Sequence, residues 1–287
     1  MGKIYKTLIF DGNVSLSVLE TTDVVNEAIK FHNLSPLCAA GLGRTLTAVA
    51  FMASNLKGKD ERLSVTIDGN GAGGRIVAAA DAALNVRGTI DRPEVVLPLK
   101  ADGKLDVGGL VGNNGKITVV KNLGLKEPYV GRCNLVSGEI AEDFTAYYAY
   151  SEQQPTAMAL GVLIGKDGSC EGAGVVVLQP MPDCLEEDIE KAEKLMEHFG
   201  NISYLMKDGG AEEIVKKYFG EYSFAFRETR YKCNCCKDYI DKVLLTIGKA
   251  ELIDTAEKEG KVEVCCQFCD KKYVYKREDI ENLFDGK

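Results

Sequence analysis

Cys233-Asn234-Cys235-Cys236 and, beyond a spacer of about thirty residues, Cys265-Cys266-Gln267-Phe268-Cys269 decide how this chain is built. Two close cysteine pairs on either side of such a spacer can set four thiolates around one Zn²⁺ in tetrahedral geometry. A four-thiolate site is structural, because it keeps no open position for a catalytic water. The same sulfurs can be oxidised pairwise, and each oxidation removes two ligands at once. Both clusters are doubled, so two ligand sets remain open. A plain zinc-ribbon pattern takes Cys233 and Cys236 as C-x-x-C with Cys266 and Cys269. A C-x-C pattern takes Cys235 and leaves Cys236 and Cys265 as bystanders.

Working outward, the last 56 residues show a helix from Cys236 to Ile247, another from Lys249 to Glu257, strands on either side of Cys266, and a helix from Arg277 to Phe284. A unit this small buries only a modest core and usually needs a staple, here the metal. Upstream, Leu185, Ile189, Ala192, Met196 and Phe199 fall at helical spacing on a charged segment, a short helix follows around Glu212 to Phe219, and Tyr222, Phe224 and Phe226 alternate as in a strand. Residues 180–231 carry 12 acidic and 7 basic side chains, net −5, against −1 for residues 232–287. Such a segment offers little apolar surface against chain entropy, which predicts a marginally folded linker.

The first 180 residues read as α+β. Leu8-Ile9-Phe10 and the alternating Val14, Leu16 and Val18 flank a turn at Asp11-Gly12-Asn13, and Leu63, Val65 and Ile67 alternate in the same way. Thr22-Asp23 opens a short helix. Ser35-Pro36 places a cap and an N1 proline ahead of an Ala/Gly/Thr-rich apolar helix. Ser137 is expected to cap a helix through Ile140, Phe144 and Tyr148, and Asp167-Gly168 to close a hairpin. The expected architecture is therefore α+β in three parts: a mixed sheet and helix core domain over residues 1–179, a helical metastable linker over 180–231, and a small zinc-binding domain over 232–287.

The chain has 287 residues, a net charge of −8 and a pI near 5.1, which argues against a nucleic-acid footprint built on positive charge. Lys271, Lys272, Lys276 and Arg277 interleave with Tyr273 and Tyr275, but Asp270, Glu278 and Asp279 make a solvated face the expected outcome. The N-terminus lacks a signal-peptide layout. The apolar stretch from Pro36 to Leu56 contains Arg44 and reads as a buried helix rather than a membrane span. Ten cysteines without a secretory signal then point to cytoplasmic thiols, free or metal-bound. Gly69-Asn70-Gly71-Ala72-Gly73-Gly74 matches G-x-G-x-x-G, but no βαβ series surrounds it, so a glycine-rich hairpin is expected. With only His32 and His198, a histidine-based catalytic site is not expected.

Several motifs together carry a family resemblance: the C-x-C and C-x-x-C module, Ile247-Gly248-Lys249-Ala250-Glu251-Leu252, and Val264-Cys265-Cys266-Gln267-Phe268-Cys269. To these are added Leu135-Val136-Ser137-Gly138-Glu139-Ile140-Ala141-Glu142-Asp143, Ser151-Glu152-Gln153 and the Asp68-Gly69-Asn70-Gly71 turn. From end to end the chain resembles the bacterial redox-regulated heat-shock holdases, the 33 kDa chaperonin family. That resemblance implies one Zn²⁺ per reduced chain on Cys233, Cys235, Cys266 and Cys269, with disulfides Cys233–Cys235 and Cys266–Cys269 forming on oxidation. It further implies a cytoplasmic, ATP-independent chaperone rather than an enzyme, activated by oxidant, binding unfolding client proteins, and homodimeric when active, with no membrane or specific nucleic-acid partner. Cys236 and Cys265 stand where the family pattern asks for no cysteine. A zinc-ribbon nucleic-acid binder and a thiol-disulfide oxidoreductase are the alternatives from other classes.

Overall fold

The computed structural model describes residues 1–285; Gly286 and Lys287, the end of the expected 232–287 domain, lie outside the described residues. The chain divides into two compact units, Met1–Lys232 and a second that begins at Cys233.

The larger unit opens with β1 (Gly2–Ile9) and β2 (Val14–Glu20), paired antiparallel around the turn anticipated at Asp11-Gly12-Asn13. Then come α1 (Thr22–His32) and α2 (Pro36–Ala53). The Ser35 hydroxyl accepts from the Cys38 amide at 3.2 Å and proline occupies the first helical turn, as a cap followed by an N1 proline requires. Helix α2 has the length and composition of a membrane span, yet nearly every one of its residues is buried inside this unit. Strands β3 (Arg62–Asp68), β4 (Ile76–Asp81) and β5 (Asn85–Ile90) lead to the short α3 (Val107–Val111), then β6 (Lys116–Asn122) and β7 (Tyr129–Asn134). Helix α4 (Ala141–Tyr147) runs into a π-turn over Tyr148–Glu152, and β8 (Ala157–Ile164) and β9 (Cys170–Pro180) form the hairpin expected at Asp167-Gly168.

Helix α4 corrects one expectation. It starts at Ala141, and its capping group is the buried Asp143 rather than Ser137. The Asp143 carboxylate accepts from the amides of Val136 at 2.8 Å, Ser137 at 3.2 Å, Gly138 at 3.3 Å and Ile140 at 3.0 Å. One side chain thus satisfies four amides of a turn that has no strand or helix partner for them.

The glycine-rich stretch joins β3 to β4 antiparallel, and the amides of Gly71, Ala72 and Gly73 are already spent. Gly71 donates to the Val111 carbonyl at 3.0 Å, Ala72 to Gly109 at 3.3 Å and Gly73 to Leu110 at 2.8 Å. A phosphate cradle needs such amides free. A Cβ on Gly69 would lie 2.2 Å from the Gly112 carbonyl oxygen, so glycine here allows two backbones to touch.

Residues 180–231 supply α5 (Glu186–Met196), a 3₁₀ turn over Glu197–Phe199, α6 (Ile202–Phe219) and β10 (Ala225–Tyr231). Helix α6 is longer than the Glu212 to Phe219 expected and breaks at Gly210, whose φ is +69°. Phe199, Ile202, Met206, Ile214 and Phe219 pack on Ile9, Leu16, Val18, Val176 and Leu178 of the sheet. At about 1.5–3 kcal/mol for each large apolar side chain buried, this is a second core rather than a thin coat. Strand β10 pairs antiparallel with β1 and, through Arg230 and Tyr231, parallel with β5. It is the strand that joins the two halves of a ten-stranded sheet ordered β7-β6-β3-β4-β5-β10-β1-β2-β9-β8.

The smaller unit comprises α7 (Lys237–Ile247), α8 (Lys249–Glu259), the antiparallel pair β11 (Val262–Cys265) and β12 (Lys272–Tyr275), and α9 (Arg277–Asp285). Its core is small: Ile240, Leu244, Leu252, Ala256, Val262, Tyr273, Tyr275 and Ile280. The architecture as a whole is α+β, as the sequence pattern implies.

Candidate metal centre

The two cysteine pairs sit on different local structures. Cys233 and Cys235 lie in the extended stretch ahead of α7, whose N-cap is Cys236 with extended backbone. Cys266 and Cys269 lie in the knuckle between β11 and β12. There the Cys269 and Asp270 amides donate to the Cys266 carbonyl at 3.3 and 2.9 Å, and the Cys266 amide donates to Lys271 at 2.9 Å. Asp270 takes a positive φ of 55° to close this turn, a conformation that aspartate tolerates better than most residues.

The fold brings the four sulfurs of Cys233, Cys235, Cys266 and Cys269 within 4.8 Å of one another. Cys233 and Cys266 are 3.5 Å apart, and Cys235 and Cys269 are 3.4 Å apart. Tetrahedral coordination at about 2.3 Å per Zn–S bond spaces sulfurs by about 3.8 Å, so this arrangement fits a single ion. An all-sulfur donor set suits a soft or borderline metal. Cys236 and Cys265 are both exposed and outside the cluster.

The thiols feel this crowding. Burial pushes Cys233 up to about 11, with Cys266 and Cys235 adding to the rise. Burial also drives Cys269 well above the ordinary thiol value. At Cys235 burial works against the thiolate but is outweighed by hydrogen bonds from Tyr273 and the neighbouring thiols, which hold it below the ordinary value. A dication among the sulfurs reverses this balance, since a coordinating thiol loses its proton outright.

Around the cluster, the two tyrosines interleaved with basic residues belong to the small unit's core. Tyr273 and Tyr275 are buried at 8% and 2% exposure. Lys272 pairs with Glu263 at 2.8 Å, and Arg277 pairs with Glu257 and, at 2.9 Å, with Glu281. Two contacts escaped sequence reasoning: the Tyr273 hydroxyl donates to the Cys235 sulfur at 3.3 Å, and the Tyr275 hydroxyl donates to Asp241 at 2.7 Å. The strand alternation of Lys272–Tyr275 signals that both tyrosines face one side, but not what their hydroxyls reach.

In the larger unit, the apolar side chains of residues 180–231 differ widely in exposure. Leu185 and Tyr204 are already 54% exposed. Phe199 is fully buried, Ile189, Tyr222 and Phe224 are partly buried, and Ile202, Met206, Ile214 and Phe219 add buried surface that the helical pattern had not singled out.

A family model described as Hsp33 protein matches residues 2–276. The 33 kDa chaperonin of Staphylococcus carnosus (strain TM300) is 40% identical over 286 residues, covering 98% of this chain and 97% of that protein. The 33 kDa chaperonin of Bacillus subtilis (strain 168) is 39% identical over 288 residues, covering 99% of both. Among solved structures, the crystal structure of the 33 kDa chaperonin (heat shock protein 33 homolog) of Thermotoga maritima superposes with a TM-score of 0.90 at 39% identity, over 99% of this chain and 98% of that one. With the same fold, end-to-end similarity at this level and four sulfurs gathered at its C-terminal end, the chain belongs to the Hsp33 family.

Proposed function

We propose that this protein is an ATP-independent, cytoplasmic holdase chaperone switched on by oxidation. Residues 1–179 act as the core, 180–231 as the metastable segment that opens, and 232–287 as the redox-sensing unit. Cys233, Cys235, Cys266 and Cys269 hold one Zn²⁺ in the reduced state. The observation that carries this is the gathering of four sulfurs, from two distant stretches of the small unit, within 4.8 Å.

When bound, the ion keeps the four sulfurs as thiolates, the nucleophilic form, and ties the two ends of a unit whose own core is small. A peroxide supplies the oxidising power. One thiolate attacks a peroxide oxygen, the O–O bond breaks and hydroxide leaves. The neighbouring thiolate then displaces a second hydroxide from the sulfenic acid, closing the S–S bond with two electrons passed to the peroxide. Pairing Cys233 with Cys235 and Cys266 with Cys269 consumes all four ligands. By zinc-finger precedent this forfeits about 10–16 kcal/mol of folding free energy. Whole domains hold only about 5–15 kcal/mol in reserve. The small unit therefore unfolds, and its chain begins two residues after Tyr231, where β10 ends. Loss of order passing into residues 180–231 uncovers Phe199, Ile202, Met206, Ile214 and Phe219, an apolar surface for unfolded clients. The active form is expected to be a homodimer.

The test is suppression of aggregation of a chemically denatured client by the reduced, zinc-loaded protein and by the same protein after peroxide treatment, with zinc release followed by a chromophoric chelator. Activity that appears together with zinc release supports the switch, and equal activity in both states removes it.

A further inference from the structure

We infer that Tyr273 is a positioning residue for the sulfur cluster: its hydroxyl restrains Cys235, holding that sulfur in place and lowering its reactivity toward oxidant. This rests on the four-thiolate metal site proposed above and deepens it.

Tyr273 lies on β12, opposite Val264 of β11. Its ring is 8% exposed and belongs to the small unit's core, and the Lys271 ammonium lies 5.1 Å from the ring centroid. Sheet register and packing therefore fix the ring, and the phenol reaches the Cys235 sulfur at 3.3 Å with its proton directed at the sulfur. The geometry links the two halves of the site. Tyr273 follows the second cysteine pair in sequence, whereas Cys235 belongs to the first.

A hydrogen bond donated to a thiolate withdraws electron density from the sulfur lone pairs. Partners of this kind, one shell out from a metal, orient the ligand and tune the site. Two consequences follow at Cys235. The lone pair that must attack a peroxide oxygen, breaking the O–O bond and expelling hydroxide, is less available. The sulfur is also held in the cluster when a neighbouring ligand is lost. Tyr273 thus sets a threshold for opening without itself being oxidised.

Tyr273→Phe keeps the ring and its packing and removes only the donor. Tyr275→Phe is the matched control, since it removes a hydroxyl from the same strand that bonds Asp241 and no sulfur. Full-length protein is loaded with Co²⁺, and the sulfur-to-cobalt charge-transfer band is recorded. Zinc release from Zn²⁺-loaded protein is timed at fixed hydrogen peroxide. The expected result is a red-shifted band for Tyr273→Phe alone, with zinc release roughly three- to tenfold faster than in the parent, the scale of one lost hydrogen bond. An unshifted band in Tyr273→Phe, or an equal shift in Tyr275→Phe, overturns the assignment. A parent protein that shows no sulfur-to-cobalt band at all sinks the four-thiolate reading itself, a failure distinct from the first two.

Discussion

Asp188, in the first turn of α5, accepts a hydrogen bond from the Asn13 side-chain amide at 2.7 Å, tying the segment proposed to open to the turn between β1 and β2. Asp188 is 4% exposed, and its carboxylate also receives Lys191 at 2.7 Å. Those two hydrogen bonds, Lys191 first and Asn13 second, hold its carboxyl below the usual aspartate value. A carboxyl depressed in the folded state adds stability that is complete above its unfolded value near 4 and is lost as pH falls through the lower folded value. Asp188→Asn should therefore speed amide exchange across Glu186–Met196 at pH 7. The difference from the parent should shrink progressively as pH falls below about 4. Identical exchange at pH 7 would show that the tie does not hold the helix.

The reduced protein should carry one Zn²⁺ per chain. Cys235→Ser should lose it, whereas Cys236→Ser should keep it, because Cys236 is exposed and outside the sulfur cluster. Metal analysis of the purified variants decides the matter, and the reverse pattern would assign the site to Cys236.

Disulfide mapping should find Cys233–Cys235 and Cys266–Cys269, with Cys266–Cys269 forming first, since a C-x-C ring is tighter and more strained than C-x-x-C. The closest sulfurs, Cys233 with Cys266 and Cys235 with Cys269, lie across the two halves. Bonds formed across that gap would staple the unit shut. A partly oxidised, active sample dominated by cross-half bonds would refute local pairing.

Phe199 is fully buried between the 3₁₀ turn and the sheet, stacked near Phe219 with ring centroids 6.1 Å apart. Phe199→Asp removes that packing and buries a charge, costing about 3–5 kcal/mol. The reduced variant should suppress client aggregation without oxidant, and its exchange protection should fall over residues 186–219 while the strands of residues 1–179 stay protected. Full protection of that segment in an oxidised, active parent would move the client surface onto the core.

Lys6 on β1 is pushed down to about 8 by burial and, secondarily, by Arg227, although its ammonium donates to Ser54 at 3.3 Å and to Asn55. A lysine lowered in the folded state binds fewer protons there than in the unfolded chain between about pH 8 and 10.5, so stability rises with pH over that window. Lys6→Met should stabilise the larger unit by about 1–2 kcal/mol at pH 7, and the advantage should fade above pH 10. Urea unfolding of both proteins at the two pH values tests this, and a constant difference would place the effect in packing.

Periodicity and spacing in the sequence were enough to place most of the elements. Alternation at Val14, Leu16 and Val18 and at Leu63, Val65 and Ile67 marks two strands; β3 buries that one face, whereas β2 also buries Ser17 and Leu19 on the other. The Ser35-Pro36 cap marks where α2 begins, and cysteine spacing marks where a metal would bind. These are local properties, set by backbone sterics and by the reach of a few bonds.

What depends on residues far apart in the chain needed the tertiary structure. Spacing leaves Cys235 and Cys236 equivalent, and only the path of the chain brings Cys235 to 3.4 Å from Cys269 and turns Cys236 outward. The pattern of residues 180–231 marks helices on a charged segment, but not that β10 closes the middle of the sheet or that Phe199 and Phe219 seal a second core. Asn13 holding Asp188 and Tyr273 reaching Cys235 leave no periodic trace, because each is a contact between a side chain and a distant partner that the fold creates.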